Sequence, residues 1–426
     1  MKKKTVLVIL SVALLLLVAF VSVHYFSAKT GHGPGKEDWG FVDIRPGAHM
    51  FYWLYYTTAN VSRYTERPLT IWLQGGPGYS ATGLGNFDQL GPLDIYGNER
   101  NWTWVKQMNI LFIDSPLGSG FSYVDNMTLL PSTNNEIAQD LLAFMKEFYK
   151  LHREFEDVPL HIFTQSYGGK MAPEFALELY YAVERGELRS NLKSVNMGGP
   201  WTSPIDSILS RAALLFNMGL IDRKAHDEIM KLANEALEYV NEEKWVEADD
   251  VEIRIIYLIT HETNNLDFYN ILKYDKDHDH EAKLQDFMRG TVSQALGIPD
   301  DVKWGQHEDD IFDNLNGEMI KPAIHIVNEL LNETNVKVSV FTGQLDLICA
   351  TPGTVNWIDK LEWDYREEYV KAPRMAFRID GNVEGYEKSG GNFTLFWVNK
   401  AGHVVPADNP KAMNYILKKC TNLNGE

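Results

Sequence analysis

The sequence is short of cysteine and of positive charge. Only Cys349 and Cys420 occur among its 426 residues, so a disulfide framework is excluded, and one bridge or two buried free thiols remain equally open. Lysine and arginine number 40 against 58 acidic residues, which gives a formal net charge of −18. Because phosphate binding needs a basic face, nucleic acid is not expected as a partner.

The composition and the N-terminus predict a globular chain that enters the secretory route. Hydrophobic residues make up 45% and aromatic residues 12%, as in ordinary globular proteins. Three lysines at positions 2–4 precede an apolar run over residues 6–23, as in the n-region and h-region of a signal peptide. A cleaved signal peptide within residues 1–27 is favoured. Because the run is close to the length of a membrane span, an uncleaved type II signal anchor is the alternative, and only then is membrane contact expected.

Five N-x-S/T sequons become candidate glycosylation sites on that route. Because the tripeptide is short, some of the five can be chance matches. The five asparagines are Asn60, Asn101, Asn126, Asn332 and Asn392.

Strand and helix patterns alternate along most of the chain, and no internal repeat is evident. Short apolar or alternating runs predict an edge hairpin and a series of strands, over residues 42–56, 68–73, 109–114, 159–165, 192–197, 337–342 and 393–398. Helical spacing of apolar residues predicts helices over residues 134–155, 167–184, 323–331 and 410–420. This alternation predicts an α/β fold in which helices cover both faces of a mostly parallel central sheet.

Residues 205–319 interrupt this alternation with acidic sequence of helical pattern and no convincing strand. We therefore expect an α/β core over residues 34–204 and 320–422 with a helical insertion, or lid, between them. His278 and His280 lie in an acidic run of the insertion and could suggest a metal site. A solvated loop is favoured because nothing orders these ligands, and neither a metal nor another cofactor is expected.

The predicted strand over residues 159–165 leads directly into Ser166 and then into a helix. This order is typical of a nucleophile elbow, a sharp strand-to-helix turn that lifts a serine hydroxyl above the edge of a sheet. Such a turn needs small residues two positions before and after the serine. Gly168 meets that need, whereas Thr164 stands where glycine is usual. A serine that caps a helix is the alternative interpretation of this stretch alone.

Two later strands each end at a residue that could complete a catalytic triad with Ser166. Asp346 follows the strand over residues 337–342, and His403 follows the strand over residues 393–398. Each alone would be interpreted as an ordinary loop residue. The order Ser166, Asp346, His403 is that of α/β-hydrolases, and catalytic groups collect at the carboxyl ends of parallel strands. His403 would remove the serine proton, and Asp346 would orient the imidazole.

A serine nucleophile also needs donors for the oxyanion of its tetrahedral intermediate. The backbone N–H of Tyr167, at the start of the helix, is one candidate. The second is the N–H of Gly76, in the glycine-rich loop after the strand over residues 68–73. A phosphate loop is a poor alternative because no Lys-Ser/Thr follows these glycines.

At this point the sequence resembles the serine carboxypeptidase family, most closely its retinoid-inducible branch. The resemblance covers most of the chain after Gly31. It rests on WLQGGPG over residues 72–78, GP at 91–92, DSPLGSGFSY over 114–123, SYGGK over 166–170, GQLD over 343–346 and AGHVVP over 401–406. It implies an α/β-hydrolase fold with a helical insertion, in a secreted or lysosomal glycoprotein that removes C-terminal residues from peptides. It carries the triad onto Ser166, Asp346 and His403, and the oxyanion hole onto Gly76 and Tyr167.

The resemblance also identifies three candidate residues for binding the C-terminal carboxylate of the peptide. An asparagine and two glutamates of the family correspond to Gln74, Gln165 and Asp88. Paired carboxyl groups bind a third carboxylate best in acid, whereas a neutral amide can donate a hydrogen bond at any pH. We therefore expect carboxypeptidase selectivity with a weaker demand for low pH. Tyr79 replaces a small residue after Gly78 and is expected to narrow the pocket.

Two other functions remain open from the sequence. An acyltransferase could use the same scaffold, because an acyl-enzyme can pass to an alcohol instead of water. A catalytically impaired, carboxypeptidase-like binding glycoprotein is the second, suggested by Thr164 and Tyr79. A complete triad argues against a silent protein, so the leading prediction is an exopeptidase whose partners are peptides or proteins with a free C-terminus.

Overall fold

The computed structural model describes residues 31–274 and 278–423. The signal peptide or anchor predicted within residues 1–27 lies outside the described residues. Over the described ranges, no helix combines the length and the apolar character that a membrane crossing requires.

Eleven strands form one mixed sheet in the order β1-β2-β4-β3-β6-β7-β8-β11-β10-β9, with β5 paired to β2. The pairs between β4 and β11 along this order are parallel, and both edges are antiparallel. The strands are β1 Glu37–Arg45, β2 Ala48–Tyr55, β3 Leu69–Leu73, β4 Asn109–Ile113, β5 Tyr123–Val124, β6 Pro159–Gln165, β7 Asn191–Gly198, β8 Lys337–Gly343, β9 Met375–Ile379, β10 Asn382–Gly390 and β11 Phe393–Val398.

Fourteen α-helices lie within the described ranges, most of them amphipathic. They are α1 Asn134–Leu151, α2 Gly168–Glu184, α3 Pro204–Asn217, α4 Arg223–Asn241, α5 Trp245–Thr263, α6 His278–Phe287, α7 Ser293–Leu296, α8 Glu308–Asn314, α9 Asn316–Met319, α10 Ile324–Glu333, α11 Thr351–Asp359, α12 Arg366–Lys371, α13 Val405–Asp408 and α14 Pro410–Thr421. Two π-helical segments, Ala81–Leu90 and Met288–Val292, complete the longer elements.

The core lies on both faces of the sheet, as the apolar strand runs predicted. Along β2, Met50, Tyr52 and Leu54 pack into one cluster, and the alternate side chains pack into the other. Helices α1 and α2 cover the first face, and α14 covers the second. Because successive strand residues point to opposite faces, a strand buried on both faces needs apolar residues at nearly every position. The predicted α/β fold with a parallel centre is therefore confirmed.

The far edge of the sheet differs from the prediction. β9 and β10 form an antiparallel extension beside β11 that sequence reasoning missed. Their side chains are mostly polar or exposed, with a single buried position, Phe377, in β9. Because the apolar signal marks only buried strands, an edge hairpin of this kind does not stand out in the sequence.

Between β7 and β8 the described chain contains helices α3 to α10 and no strand. This agrees in character with the helical insertion expected over residues 205–319, whose limits as a separate unit stay a prediction. α3 begins at Pro204, a residue well suited to the first turn of a helix. The insertion returns to the sheet through α10.

Candidate active site

Ser166 occupies a strained turn between β6 and α2. Its φ angle is 58°, in the left-handed region that residues with a side chain rarely adopt. The surrounding backbone holds this conformation: the Ser166 N–H donates to the carbonyl of Gly198 at 2.9 Å, and the Ser166 carbonyl accepts from Gly169 and Trp201, each at 2.8 Å. This is the geometry of the predicted nucleophile elbow.

Thr164 fits the elbow although glycine is usual at its position. Its hydroxyl is fully buried and donates to the carbonyl of Leu73 at 2.9 Å. A Cβ atom added at Gly168 would overlap the Thr164 hydroxyl oxygen. Because Gly168 has no side chain, the Thr164 side chain fits beside it, and the elbow does not need a glycine at position 164.

Asp346 and His403 form a buried pair. The Asp346 Oδ2 atom lies 2.7 Å from His403 Nδ1, and both side chains are almost completely inaccessible. Asp346 Oδ1 accepts from the backbone N–H of Cys349 at 2.9 Å. Because the carboxylate faces Nδ1, the proton of a neutral imidazole is expected there, which leaves Nε2 as an acceptor. His403 Nε2 has no hydrogen-bond partner within the described residues.

Gly199 packs directly against this pair. A Cβ atom at Gly199 would lie 2.8 Å from Asp346 Oδ2 and 2.9 Å from His403 Nδ1. Its φ angle of +43° is also one that glycine adopts without strain. A side chain at this position would separate the carboxylate from the imidazole.

Ser166 and His403 line the same cavity, which has a volume of about 790 Å³. The predicted triad residues thus meet, but the bond between Ser166 and His403 Nε2 is not formed. Burial raises the pKa of the nearby Cys349 thiol well above its usual value. Catalytic hydrogen bonds are often unformed until substrate binds. Cys349 and Cys420 are both buried free thiols, so the structure takes the unbridged alternative.

The glycine-rich loop after β3 lies against the elbow. A Cβ atom at Gly75 would come within 2.6 Å of Ser166 Cβ and 3.1 Å of the Tyr167 nitrogen. Gly76, with φ of +121°, follows it and also lines the cavity. The two backbone N–H groups predicted for the oxyanion hole are therefore on segments in direct contact.

Four glutamine side chains line the cavity that Ser166 also lines: Gln74, Gln89, Gln165 and Gln285. The Trp72 indole N–H donates to Gln74 Oε1 at 2.8 Å, so the Gln74 amide group presents its Nε2 donors on the other side. Gln165 Nε2 donates to the His403 carbonyl at 3.2 Å. That bond uses one of its two N–H groups.

Asp88 does not lie where the resemblance predicted. Its carboxylate is 3.0 Å from His280 Nε2, and it is not among the residues that line the cavity. The next residue, Gln89, is 8% exposed and lines the cavity instead. Sequence reasoning did not single out Gln89, because it looked for a carboxylate upstream of Gly91 and Pro92.

The charged residues of the cavity leave an excess of carboxylates. Lys273 lies 3.3 Å from Asp408, and His280 is paired with Asp88. Glu281 and Glu308 also line the cavity, and neither makes an ion pair with another described residue. Burial, and then the nearby Glu281 carboxylate, raise the pKa of Glu308 to about 7.

The acidic run with His278 and His280 gives no sign of a metal site where it is described. His280 contacts Asp88 of the core. Residues 275–277 and the His278 side chain lie outside the described part of the chain. The predicted loop is wrong for residues 278–281, which begin helix α6, and it stays a prediction for residues 275–277.

The five sequons differ in how free their side-chain amides are. Asn60, Asn101, Asn126 and Asn332 are exposed and Asn392 is partly buried, but the Asn332 and Asn392 amides are hydrogen-bonded. Asn332 Nδ2 donates to the carbonyls of Asn328 and Glu362, both at 2.9 Å, and Asn392 Nδ2 donates to the Leu331 carbonyl at 3.0 Å. Because a glycan is attached through Nδ2, the first three sites are the more accessible.

Fold and site together define an α/β-hydrolase. A serine on an elbow after a central parallel strand shares a cavity with a histidine, and this histidine is paired with a buried aspartate; the Asp and the His follow two later strands. A solved prohormone-processing carboxypeptidase from Saccharomyces cerevisiae has the same fold. It superposes with a TM-score of 0.77 at 22% identity, over 91% of either chain.

The chain belongs to the serine carboxypeptidase family, whose model matches residues 29–422. The retinoid-inducible serine carboxypeptidase of Mus musculus is 36% identical over 415 residues, which are 91% of this chain and 92% of the relative. Its counterpart in Rattus norvegicus is 38% identical over 88% of this chain and 89% of the relative. Serine carboxypeptidase-like 51 of Arabidopsis thaliana is 34% identical over 96% of each. The resemblance seen in the sequence motifs is confirmed.

Proposed function

We propose that this chain is an exopeptidase that removes residues from the C-terminus of peptides, with Ser166 as its nucleophile. The observation that carries the proposal is the 2.7 Å bond between Asp346 and His403 behind a cavity that Ser166 also lines. Family membership supports the carboxypeptidase reaction and peptides as the substrate class. The remaining assignments rest on the chemistry of the cavity.

The reaction follows from the roles these groups can take. His403 Nε2 accepts the Ser166 proton as the hydroxyl oxygen attacks the last peptide carbonyl. Asp346 stabilises the imidazolium that forms. The N–H groups of Gly76 and Tyr167 hold the oxyanion, and the loss of one such donor typically costs about 10²–10³ in rate. His403 then protonates the leaving amino group, and water releases the acyl-enzyme.

The glutamine side chains would recognise the free carboxylate that defines a carboxypeptidase substrate. Gln74 is held by Trp72 with its amide donors available, and Gln165 retains a second N–H. Gln89 completes a set of neutral donors in place of the acidic residue expected at position 88. An amide donates at any pH, whereas an ionised carboxylate would repel the substrate. We therefore expect activity to persist above mildly acidic pH.

The secretory route remains part of the proposal. The basic and apolar N-terminus and the exposed sequons at Asn60, Asn101 and Asn126 favour a glycoprotein delivered to a lumenal or extracellular compartment. Secretion and lysosomal delivery are both compatible with these features. If the N-terminal segment is not cleaved, the protein would reach the same compartment as a type II membrane protein.

Mass spectrometry of peptides incubated with the purified protein tests the proposal. We expect the stepwise loss of C-terminal residues, and no loss with Ser166→Ala or with peptides whose C-terminus is amidated. Labelling by an organophosphorus serine probe should disappear in the same variant. Cleavage of peptide amides at a similar rate would contradict carboxylate recognition, and failure to label would favour the silent binding protein. Transfer of the acyl group to an added alcohol faster than to water would favour the acyltransferase.

A further inference from the structure

The loop that carries Asp346 is held by side chains and carbonyls of the segment between β7 and β8. Arg211, in α3, is fully buried. Its Nε donates to the Leu347 carbonyl at 3.0 Å, and its Nη2 donates to the Ile348 carbonyl at 2.9 Å. These are the two residues that follow Asp346. One planar guanidinium thus fixes two successive peptide groups, which the single ammonium of lysine cannot do in the same geometry.

Glu252, in α5, orients this guanidinium. Its Oε1 lies 2.5 Å from Arg211 Nη1, and the Glu252 side chain is 5% exposed. A buried arginine is costly unless it is paired, and one carboxylate contact leaves the other donors for the two carbonyls. Burial raises the pKa of Glu252, and the Arg211 charge opposes that rise. The centroids of the Trp201 and Phe268 rings lie 5.8 and 5.7 Å from the guanidinium carbon.

The segment between β7 and β8 also binds the backbone N–H groups of the loop after Asp346. The Phe268 carbonyl accepts from the N–H groups of Leu347 and Ile348, both at 3.0 Å. The backbone carbonyls and the N–H groups of Leu347 and Ile348 are therefore hydrogen-bonded by residues outside the central sheet. If the loop that carries Asp346 shifted, the Asp346 carboxylate would move away from its place beside the His403 imidazole.

We infer that Arg211, oriented by Glu252, is a positioning residue that holds the Asp346 carboxylate in line with His403. The inference rests on the proposed role of Asp346 in catalysis. Arg211 does not line the cavity, so it does not contact substrate. Its loss should therefore reduce kcat and leave KM nearly unchanged.

Three variants test this: Arg211→Met, Arg211→Lys and Glu252→Gln. Displacement of catalytic groups by about 1 Å can cost ~10²-fold in rate, so we expect kcat to fall by about that factor in Arg211→Met and by about tenfold in Arg211→Lys. Glu252→Gln keeps the size and one acceptor, and kcat should fall by about threefold to tenfold. KM should stay within about twofold in each, since no cavity contact changes.

Asp206→Asn is the matched control, because Asp206 lies in the same helix and pairs with Lys360 at 2.7 Å, away from the Asp346 loop. Rates are normalised to the fraction of sites that react with the organophosphorus probe. If Arg211→Met does not fold, Glu252→Gln carries the test. Equal kcat losses in the control and the Arg211 variants, or a rise of KM in step with the fall of kcat, would overturn the inference. If the unaltered protein releases no C-terminal residue, the proposed function fails instead.

Discussion

The backbone N–H of His403 donates to the carbonyl of Tyr269 at 2.7 Å, and the two rings lie 5.2 Å apart. Tyr269 follows Phe268, whose carbonyl holds the Asp346 loop. Two successive carbonyls of the chain between β7 and β8 thus bind the backbone of His403 and that of the two residues after Asp346. The segment between β7 and β8 therefore positions Asp346 and His403 and also contributes to the lining of the cavity.

Asp346→Asn should reduce kcat by about 10⁴-fold, because an amide facing Nδ1 favours the wrong tautomer and cannot stabilise an imidazolium. The change preserves size, so thermal unfolding should stay close to that of the unaltered protein. Steady-state kinetics on a peptide acid measures the effect. A loss of less than tenfold in a folded variant would remove Asp346 from the mechanism.

Gln165→Glu should restrict activity to acidic pH. A protonated carboxyl can donate to the substrate carboxylate, whereas its ionised form repels it, so kcat/KM should fall as pH rises through the pKa of the new group. The unaltered protein should keep its activity over the same range. Gln285→Glu adds the same charge to another part of the cavity lining and serves as the control. Equal pH profiles for the two variants would argue against carboxylate binding at position 165.

Glu308→Gln should weaken a preference for substrates with a basic side chain near the scissile bond. The Glu281 and Glu308 carboxylates lack cationic partners within the described residues, so a lysine side chain of the substrate can supply one. We expect kcat/KM for a lysine peptide, relative to its norleucine analogue, to fall by about twofold to fivefold. Because the pKa of Glu308 is about 7, the preference should grow between pH 6 and 8 in the unaltered protein. Asp309→Asn, one residue away and exposed, is the control.

His161 should make the folded state sensitive to acid. It lies buried in β6, its Nδ1 is 2.7 Å from Ser194 Oγ, and burial lowers its pKa from 6.5 to about 3. The unfolded chain therefore binds the proton first, so the stability that the neutral ring contributes is complete above pH 6.5 and is lost as pH falls toward 3. The loss should reach about 2 kcal/mol at pH 5.

Denaturant unfolding at pH 7.5 and pH 5 measures this difference in the free energy of unfolding. His161→Gln should show a smaller decrease between the two pH values than the unaltered protein. His325→Gln, an exposed histidine, should leave the decrease unchanged. Identical pH dependence in all three proteins would contradict the assignment to His161.

Glycans should occupy Asn60, Asn101 and Asn126 and be absent from Asn332 and Asn392 in protein from a secretory host. The amide nitrogens of the last two are engaged by backbone carbonyls. Peptide mapping by mass spectrometry after enzymatic deglycosylation in ¹⁸O-labelled water measures the occupancy of each site. Full occupancy of Asn392 would show that its hydrogen bond forms only after modification, or not at all.

The sequence was most informative where a strand ends at a reactive residue. Ser166, Asp346 and His403 could be predicted to meet because the carboxyl ends of parallel strands share one edge. It was less informative where the side chain is neutral, as for Gln89, or where the strand is polar and exposed, as for β9. Arg211 was missed for a different reason: its partners are carbonyls of a distant loop, and no pattern within α3 reveals them.

Thr164 and Gly168 share one space beneath the nucleophile, so the two positions are expected to vary together in evolution. The three atoms nearest to a Cβ added at Gly168 all belong to Thr164, so a chain with threonine at 164 has no room for alanine at 168. A side chain at position 168 would therefore first require Thr164→Gly, because the reverse order places two side chains in a space that holds only one.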